Sequence, residues 1–161
     1  MAVDGTVPWG EVDSSACSIA RTMAWLGQPW TVLVLRDLFN GVHRFDELTE
    51  HLGIARNVLA KRLDSLLDAG LVRTEDYREP GHRTRKKYLL TEAGWDLRPV
   101  LIALMAFGDA HFSGPRGAPA RVEHAGCGGE VSLRPVCSEN HDLSDDAPVR
   151  VVPGPGAEPR S

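Results

Sequence analysis

The sequence predicts a mainly α-helical fold with one small β-hairpin, and three observations support this class. Apolar residues recur at helical spacing through most of the chain from Cys17 to Phe107. A glycine, Gly53, separates two amphipathic helical segments, and beyond Gly70 the pattern changes to the two-residue period of strands. With 161 residues, 42% apolar and 25% charged, the chain has the length and composition of one globular domain.

Two helices are expected ahead of the two segments that flank Gly53. The first extends from Cys17 to Trp25, where Ile19 and Met23 recur at helical spacing. The second begins near Pro29, which suits a first helical turn, and stops at Asn40-Gly41. Its apolar content marks it as the core helix, through Trp30, Leu33, Leu35, Leu38 and Phe39.

The segments on either side of Gly53 are predicted to form a helix-turn-helix. Phe45, Leu48 and Leu52 share one face of the first helix. The second helix has one continuous apolar face, and the turn residues Ala69-Gly70 end it. This face comprises Ile54, Leu59, Leu63, Leu66 and Leu67.

A β-hairpin and a last helix complete the predicted domain. Residues 71–75 and 85–90 read as two strands joined by the turn Glu79-Pro80-Gly81, so the order of elements is that of a winged helix-turn-helix. Thr91 caps the last helix, in which Pro99 predicts a kink or a restart. Its apolar stripe, which includes Leu104 and Phe107, is wider than a small domain can cover, so we expect a partner chain to cover it.

Composition divides the chain into five segments. We expect a flexible N-terminal arm at residues 1–14, the winged helix-turn-helix domain with its dimerisation helices at 15–112 and a linker at 113–121. A small ribbon-like hairpin segment at 122–148 and a disordered Pro/Gly-rich tail at 149–161 follow.

Charge is distributed unevenly, although the net charge is −4. Residues 1–54 contain three basic and seven acidic side chains, and residues 91–161 contain six and ten. Residues 55–90, in contrast, contain nine basic and five acidic ones. A basic segment within an acidic chain is typical of a polyanion contact, although a solvated charged surface would have the same composition.

Several short motifs occur in a characteristic order and spacing along the chain. They are Cys17, Gly27-Gln28-Pro29-Trp30-Thr31, Leu35-Arg36-Asp37-Leu38, Arg44-Phe45-Asp46-Glu47-Leu48, Leu59-Ala60-Lys61-Arg62-Leu63, Ala69-Gly70-Leu71-Val72 and Tyr88-Leu89-Leu90-Thr91-Glu92-Ala93-Gly94. Together they resemble the HxlR family of bacterial winged-helix transcriptional regulators, which are MarR-like, over roughly residues 15–110. The resemblance implies a homodimer whose first and last helices form the subunit interface, with one recognition helix and one wing per protomer facing double-stranded operator DNA.

The residue chemistry agrees with DNA binding. A recognition helix reads base edges in the major groove with its exposed N-terminal residues, and Arg, Asn and Lys side chains suit guanine and adenine edges. Wing cations clamp phosphates or enter the minor groove. The predicted DNA-binding residues are Arg56, Asn57, Ala60, Lys61 and Arg62 on the helix and His82, Arg83 and Arg85 on the wing.

The sequence therefore predicts a sequence-specific transcriptional regulator, more specifically a repressor that occupies a promoter operator. The alternative is a winged-helix protein-interaction module without sequence-specific DNA binding. No enzymatic constellation is recognisable, since a Gly-rich phosphate loop, a nucleophile elbow and a His-Glu-x-x-His motif are all missing. We also expect a cytoplasmic protein, because neither a membrane span nor a secretory signal is recognisable.

The three cysteines raise two further hypotheses. Cys17 begins a helix, where the helix dipole favours a thiolate, and the family resemblance makes it a candidate sensor of oxidants or electrophiles. A small apolar residue packed in the dimer interface would give the same pattern. Independently of Cys17, a small-molecule effector that controls the regulator is also left open by the sequence.

The second hypothesis concerns zinc. The segment from His124 to His141 resembles a miniature zinc-ribbon tail, and His124, Cys127, Cys137 and His141 would be its four ligands. Asn140 replaces a cysteine of that pattern, so a metal-free hairpin is the alternative and we expect no other cofactor.

Overall fold

The computed structural model describes residues 9–144 and 147–157. The expectations for the ends of the N-terminal arm and the C-terminal tail fall partly on residues 1–8 and 158–161, which lie outside the described residues. The chain separates into two compact units: Pro29–Leu133, and the described residues before and after that range. Within the described ranges, no helix is both long and apolar enough to span a bilayer.

The unit formed by the described residues up to Gln28 and from Arg134 onward contains one α-helix within those residues. Two 3-10 turns, Trp9–Glu11 and Ser14–Ala16, precede helix α1 (Ser18–Leu26), and the Asp13 carboxylate accepts a hydrogen bond from the Ser15 amide at 2.9 Å. Several apolar side chains of α1 are exposed, namely Ile19, Met23 and Trp25.

The central unit contains the predicted helix-turn-helix. Helices α2 (Thr31–Phe39), α3 (Phe45–Leu52) and α4 (Arg56–Asp68) contact one another, and Gly53 ends α3 with a φ of 61°, a conformation that favours glycine. Most core side chains come from the apolar faces expected from the sequence: Val34, Leu35, Leu38, Leu48, Ile54, Leu59, Leu63, Leu66, Val72 and Leu90. The expectation that Trp30 and Leu33 lie in the core is wrong, because both are exposed while Val34, Leu35 and Leu38 form the buried face of α2.

A buried carboxylate joins α2 to α3. Asp37 is 1% exposed, and its Oδ1 atom accepts hydrogen bonds from Arg36 Nε and Nη2 at 2.9 and 2.7 Å. Its other oxygen lies 2.6 Å from His51 Nδ1. A buried carboxylate is tolerated only when it is paired in this way, and the contact with His51 links α2 to the last turn of α3.

The wing is a two-stranded antiparallel hairpin. Strands β1 (Val72–Tyr77) and β2 (Arg85–Leu90) pair with Val72 opposite Leu90. The segment ahead of α3 also pairs with β2, because the Tyr88 amide donates to the His43 carbonyl at 2.8 Å. The wing is thereby fixed to the start of the helix-turn-helix.

The chain leaves β2 through a tight junction. The Thr91 hydroxyl donates to the Gly70 carbonyl at 2.7 Å and accepts from the Gly94 amide at 3.1 Å, which caps the short helix α5 (Glu92–Trp95). Gly94 is buried directly against the Leu71 carbonyl. Helix α6 (Arg98–Phe112) then starts with Pro99 in its first turn, so the proline marks a restart rather than a kink.

Candidate nucleic-acid interface

Helix α4 exposes a polar tip from a firmly anchored body. Ala55 caps it in an extended conformation, so Arg56 is the first helical residue. Three side chains on the first two turns are exposed, namely Arg56, Asn57 and Lys61, whereas Leu59, Leu63 and Leu66 are buried. The helix therefore keeps its orientation through the core while its N-terminal side chains remain accessible.

Two of the predicted residues are less accessible than the tip. Ala60 and Arg62 are half-buried. Ala60 lies between the two exposed turns, where a small side chain allows close approach of a ligand. Arg62 precedes the buried Leu63, so its side chain lies at the edge of the exposed α4 tip rather than at its centre.

Arg56 is held in place by two neighbours from α3. Its Nη1 atom donates a hydrogen bond to Asp46 Oδ1 at 2.7 Å, and its guanidinium lies over the Phe45 ring, 4.7 Å from the centroid. The hydrogen bond from Arg56 holds the pKa of Asp46 below its usual range, so this carboxylate is ionised at neutral pH.

The wing supplies three further predicted residues, all of them exposed: His82, Arg83 and Arg85. The His82 amide donates to the Glu79 carbonyl at 3.0 Å, which closes the turn of the hairpin. Arg85, the first residue of β2 after the turn, donates to Asp46 Oδ2 at 3.3 Å. The structure thus brings the α4 tip and the turn end of the wing strands together at one carboxylate.

Other cations of the basic segment are neutralised within the protein. Glu75 lies 2.7 Å from Lys87 Nζ and 3.4 Å from Arg73 Nη1, and the hydrogen bond from Lys87 lowers the pKa of Glu75. Among the described residues, no carboxylate pairs with Lys61, Arg83 or Lys86. These three cations are therefore available for an anionic ligand without breaking an ion pair.

Asp46 is the residue of this surface that the sequence reasoning missed. The prediction concentrated on basic residues, and an acidic residue in the first turn of a helix ordinarily stabilises the helix dipole. Its distance of ten residues from Arg56 and 39 from Arg85 gives no local signal of contact.

Cys17 lies in the other unit, at the N-cap of α1, where it is half-buried. It lines a cavity of about 880 Å³ together with Arg21, Val151 and Val152. Its role as a redox sensor stays a prediction.

The four predicted zinc ligands form two local pairs. His124 Nδ1 lies 3.2 Å from Cys127 Sγ, and separately the Cys137 amide donates to the His141 carbonyl at 3.1 Å. The described residues contain no group of three or more His, Cys, Asp or Glu side chains arranged to hold a metal ion. Zinc binding stays a hypothesis.

Comparison with known proteins identifies the family. The model of the HxlR-like helix-turn-helix family matches residues 25–115. The chain belongs to this family. The match confirms the resemblance and the winged helix-turn-helix fold, and it confirms the prediction of a transcriptional regulator rather than an enzyme.

Relatives of this HxlR-family chain agree in sequence and in structure. The chain is 37% identical over 139 residues to the uncharacterized HTH-type transcriptional regulator Mb3122 of Mycobacterium bovis, covering 86% of this chain and 87% of the relative. The crystal structure of PA1607, described as a transcription factor, superposes with a TM-score of 0.73 at 31% identity, covering 84% and 93% of the two chains. PA1374 from Pseudomonas aeruginosa superposes with a TM-score of 0.57 at 32% identity, covering 88% and 95%.

Proposed function

We propose that this HxlR-family regulator is a homodimer that binds a promoter operator sequence-specifically and represses transcription by occupying it, in the cytoplasm. One observation carries the proposal: the exposed tip of α4 lies beside a basic wing, and both are fixed to the same core. The distances from Asp46 to Arg56 and Arg85 show how close the two elements are.

Different parts of this surface suit different parts of a duplex. Arg56, Asn57 and Lys61 on the α4 tip have the donor and acceptor groups that read base edges in the major groove. Arg83 and Lys86 on the wing have no carboxylate partner among the described residues, so they suit backbone phosphates.

Two helices support the homodimer. No residue of α6 is buried, although Val100, Leu104 and Phe107 are large and apolar. Helix α1 likewise exposes Ile19, Met23 and Trp25. Exposed apolar surface of this extent is uncommon on a monomer, and a second copy presents the same self-complementary surfaces in a symmetric pair.

The salt dependence of binding tests the proposal. An operator is first selected from a random duplex library with the wild-type protein, and its affinity is then measured by fluorescence anisotropy over a range of salt concentrations. If the dimer neutralises about 6–8 phosphates, log affinity should fall against log salt with a slope of about −5 to −7. A slope near zero, or failure to enrich any sequence, would contradict the proposal.

Arg56→Ala separates base reading from phosphate binding. We expect discrimination at one operator position to weaken by about 1–3 kcal/mol, because the substitution removes a side chain that reads a base edge. Arg83→Ala is the matched control, since it should weaken operator and random DNA alike and reduce the salt slope by about 2 per dimer. Equal losses on both duplexes for Arg56→Ala would rule out its reading role.

A further inference from the structure

One carboxylate contacts both DNA-facing elements of the central unit. Asp46 lies in the first turn of α3, and its two oxygens accept hydrogen bonds from Arg56 Nη1 at 2.7 Å and Arg85 Nη1 at 3.3 Å. The Asp46 side chain is 59% exposed. An anion on this surface opposes the binding of a polyanion, so its presence between two arginines needs an explanation.

Stability does not supply that explanation. Exposed ion pairs contribute only about 0–1 kcal/mol to folding, and Arg56 and Arg85 are also largely exposed. The two arginines also differ in how they are held. Arg56 keeps its position over the Phe45 ring, whereas Asp46 is the only carboxylate in the described chain that pairs with Arg85.

We propose that Asp46 determines specificity by positioning Arg56 and by limiting the contact of Arg85 with phosphate. The inference rests on the proposed function. On random DNA, binding depends on phosphates, and the Asp46 carboxylate both repels them and competes with them for Arg85. On the operator, the fixed orientation of Arg56 favours its base contact, and that contact offsets the repulsion.

Asp46→Asn tests this role, because it keeps the shape of the side chain and removes its charge. We expect affinity for a scrambled duplex to rise about 10-fold per dimer, since a like charge at each of two contacts is removed. Operator affinity should change less than about threefold, because Arg56 is oriented less strongly when only the Phe45 ring and a neutral amide hold it, while the phosphate contacts improve. The salt slope on scrambled DNA should steepen by about 2 per dimer as each Arg85 binds a phosphate.

Asp68→Asn is the matched control. It removes the same charge from the opposite end of α4, where Asp68 is exposed and pairs with no cation among the described residues. Anisotropy titrations of the wild type and both variants use selected and scrambled duplexes of equal length. They give the ratio of operator affinity to scrambled-duplex affinity for each protein. Thermal unfolding of each variant checks that the fold is retained.

The outcomes separate this inference from the proposed function. A lower ratio for Asp46→Asn, with an unchanged ratio for Asp68→Asn, supports the role of Asp46. The role of Asp46 is overturned by an unchanged ratio for Asp46→Asn, by equal effects of the two variants, or by equal losses on both duplexes. In each of these cases, specific binding by the wild type leaves the proposed function intact. If the wild type binds neither duplex, the proposed function itself fails.

Discussion

Replacing Phe107 with glutamate should split the proposed homodimer into monomers and lower operator affinity by at least about 100-fold, because a dimer engages its second half-site at high effective concentration. Phe107 is 56% exposed and its neighbour on the same stripe, Leu104, is 51% exposed. A carboxylate at position 107 would have to be buried unpaired against the second copy. In the monomer it stays in water, so the subunit fold should persist.

Sedimentation velocity measures the oligomeric state and anisotropy measures the affinity. Leu133→Glu is the matched control, because it introduces the same charge at an exposed apolar residue outside α6. We expect the control to remain dimeric and to bind the operator normally. A Phe107→Glu variant that stays dimeric would show that α6 does not form the interface, and a monomeric variant with full affinity would show that dimerisation is unnecessary for binding.

Gly94→Ala should destabilise the fold by about 3 kcal/mol, at the upper end of the usual cost of overpacking. A Cβ atom at Gly94 would come closer to the Leu71 carbonyl oxygen than real Cβ atoms approach backbone atoms, and it would also crowd Leu90. The oxygen cannot retreat easily, because it accepts a hydrogen bond from the Thr91 amide at 3.0 Å. Helix propensity alone favours alanine, so a loss of stability would show that the close approach dominates.

Urea unfolding at a fixed protein concentration measures this effect. Gly114→Ala serves as the control, since a Cβ there meets no atom within 4 Å and the backbone does not require glycine. The control should be neutral or slightly stabilising, because alanine restricts the unfolded chain. Equal stability of Gly94→Ala and wild type would mean that the junction between α5 and β1 adjusts without strain.

Periodicity alone predicted most of the secondary structure and the core. Leu59, Leu63 and Leu66 recur at the helical period and line the buried face of α4. The break at Gly53 followed from the conformational freedom of glycine, and the structure places it at a positive φ. The exposure of Arg56 and Asn57 follows from the same period, since residues opposite an apolar face point away from the core.

Local sequence patterns did not predict contacts between residues that are far apart in the chain. Pro99 predicted a kink or a restart in the last helical segment, and the structure shows the restart as the division into α5 and α6. The close packing of Gly94 against the Leu71 carbonyl had no local signal, because it joins residues 23 positions apart. The pairing of the buried Asp37 with the exposed His51 depends in the same way on how α2 and α3 meet.

By itself, the amino-acid order determined which segments are helices and strands, which faces are apolar and where the basic segment lies, because these depend on neighbours within about two helical turns. Only the tertiary structure decided which cations remain available and which are paired. Asp46 contacts Arg56 and Arg85 because the turn at Gly53 and the pairing of β2 with the segment before α3 bring three elements to one place. Ion pairing depends on distance in space, and local sequence does not encode that distance.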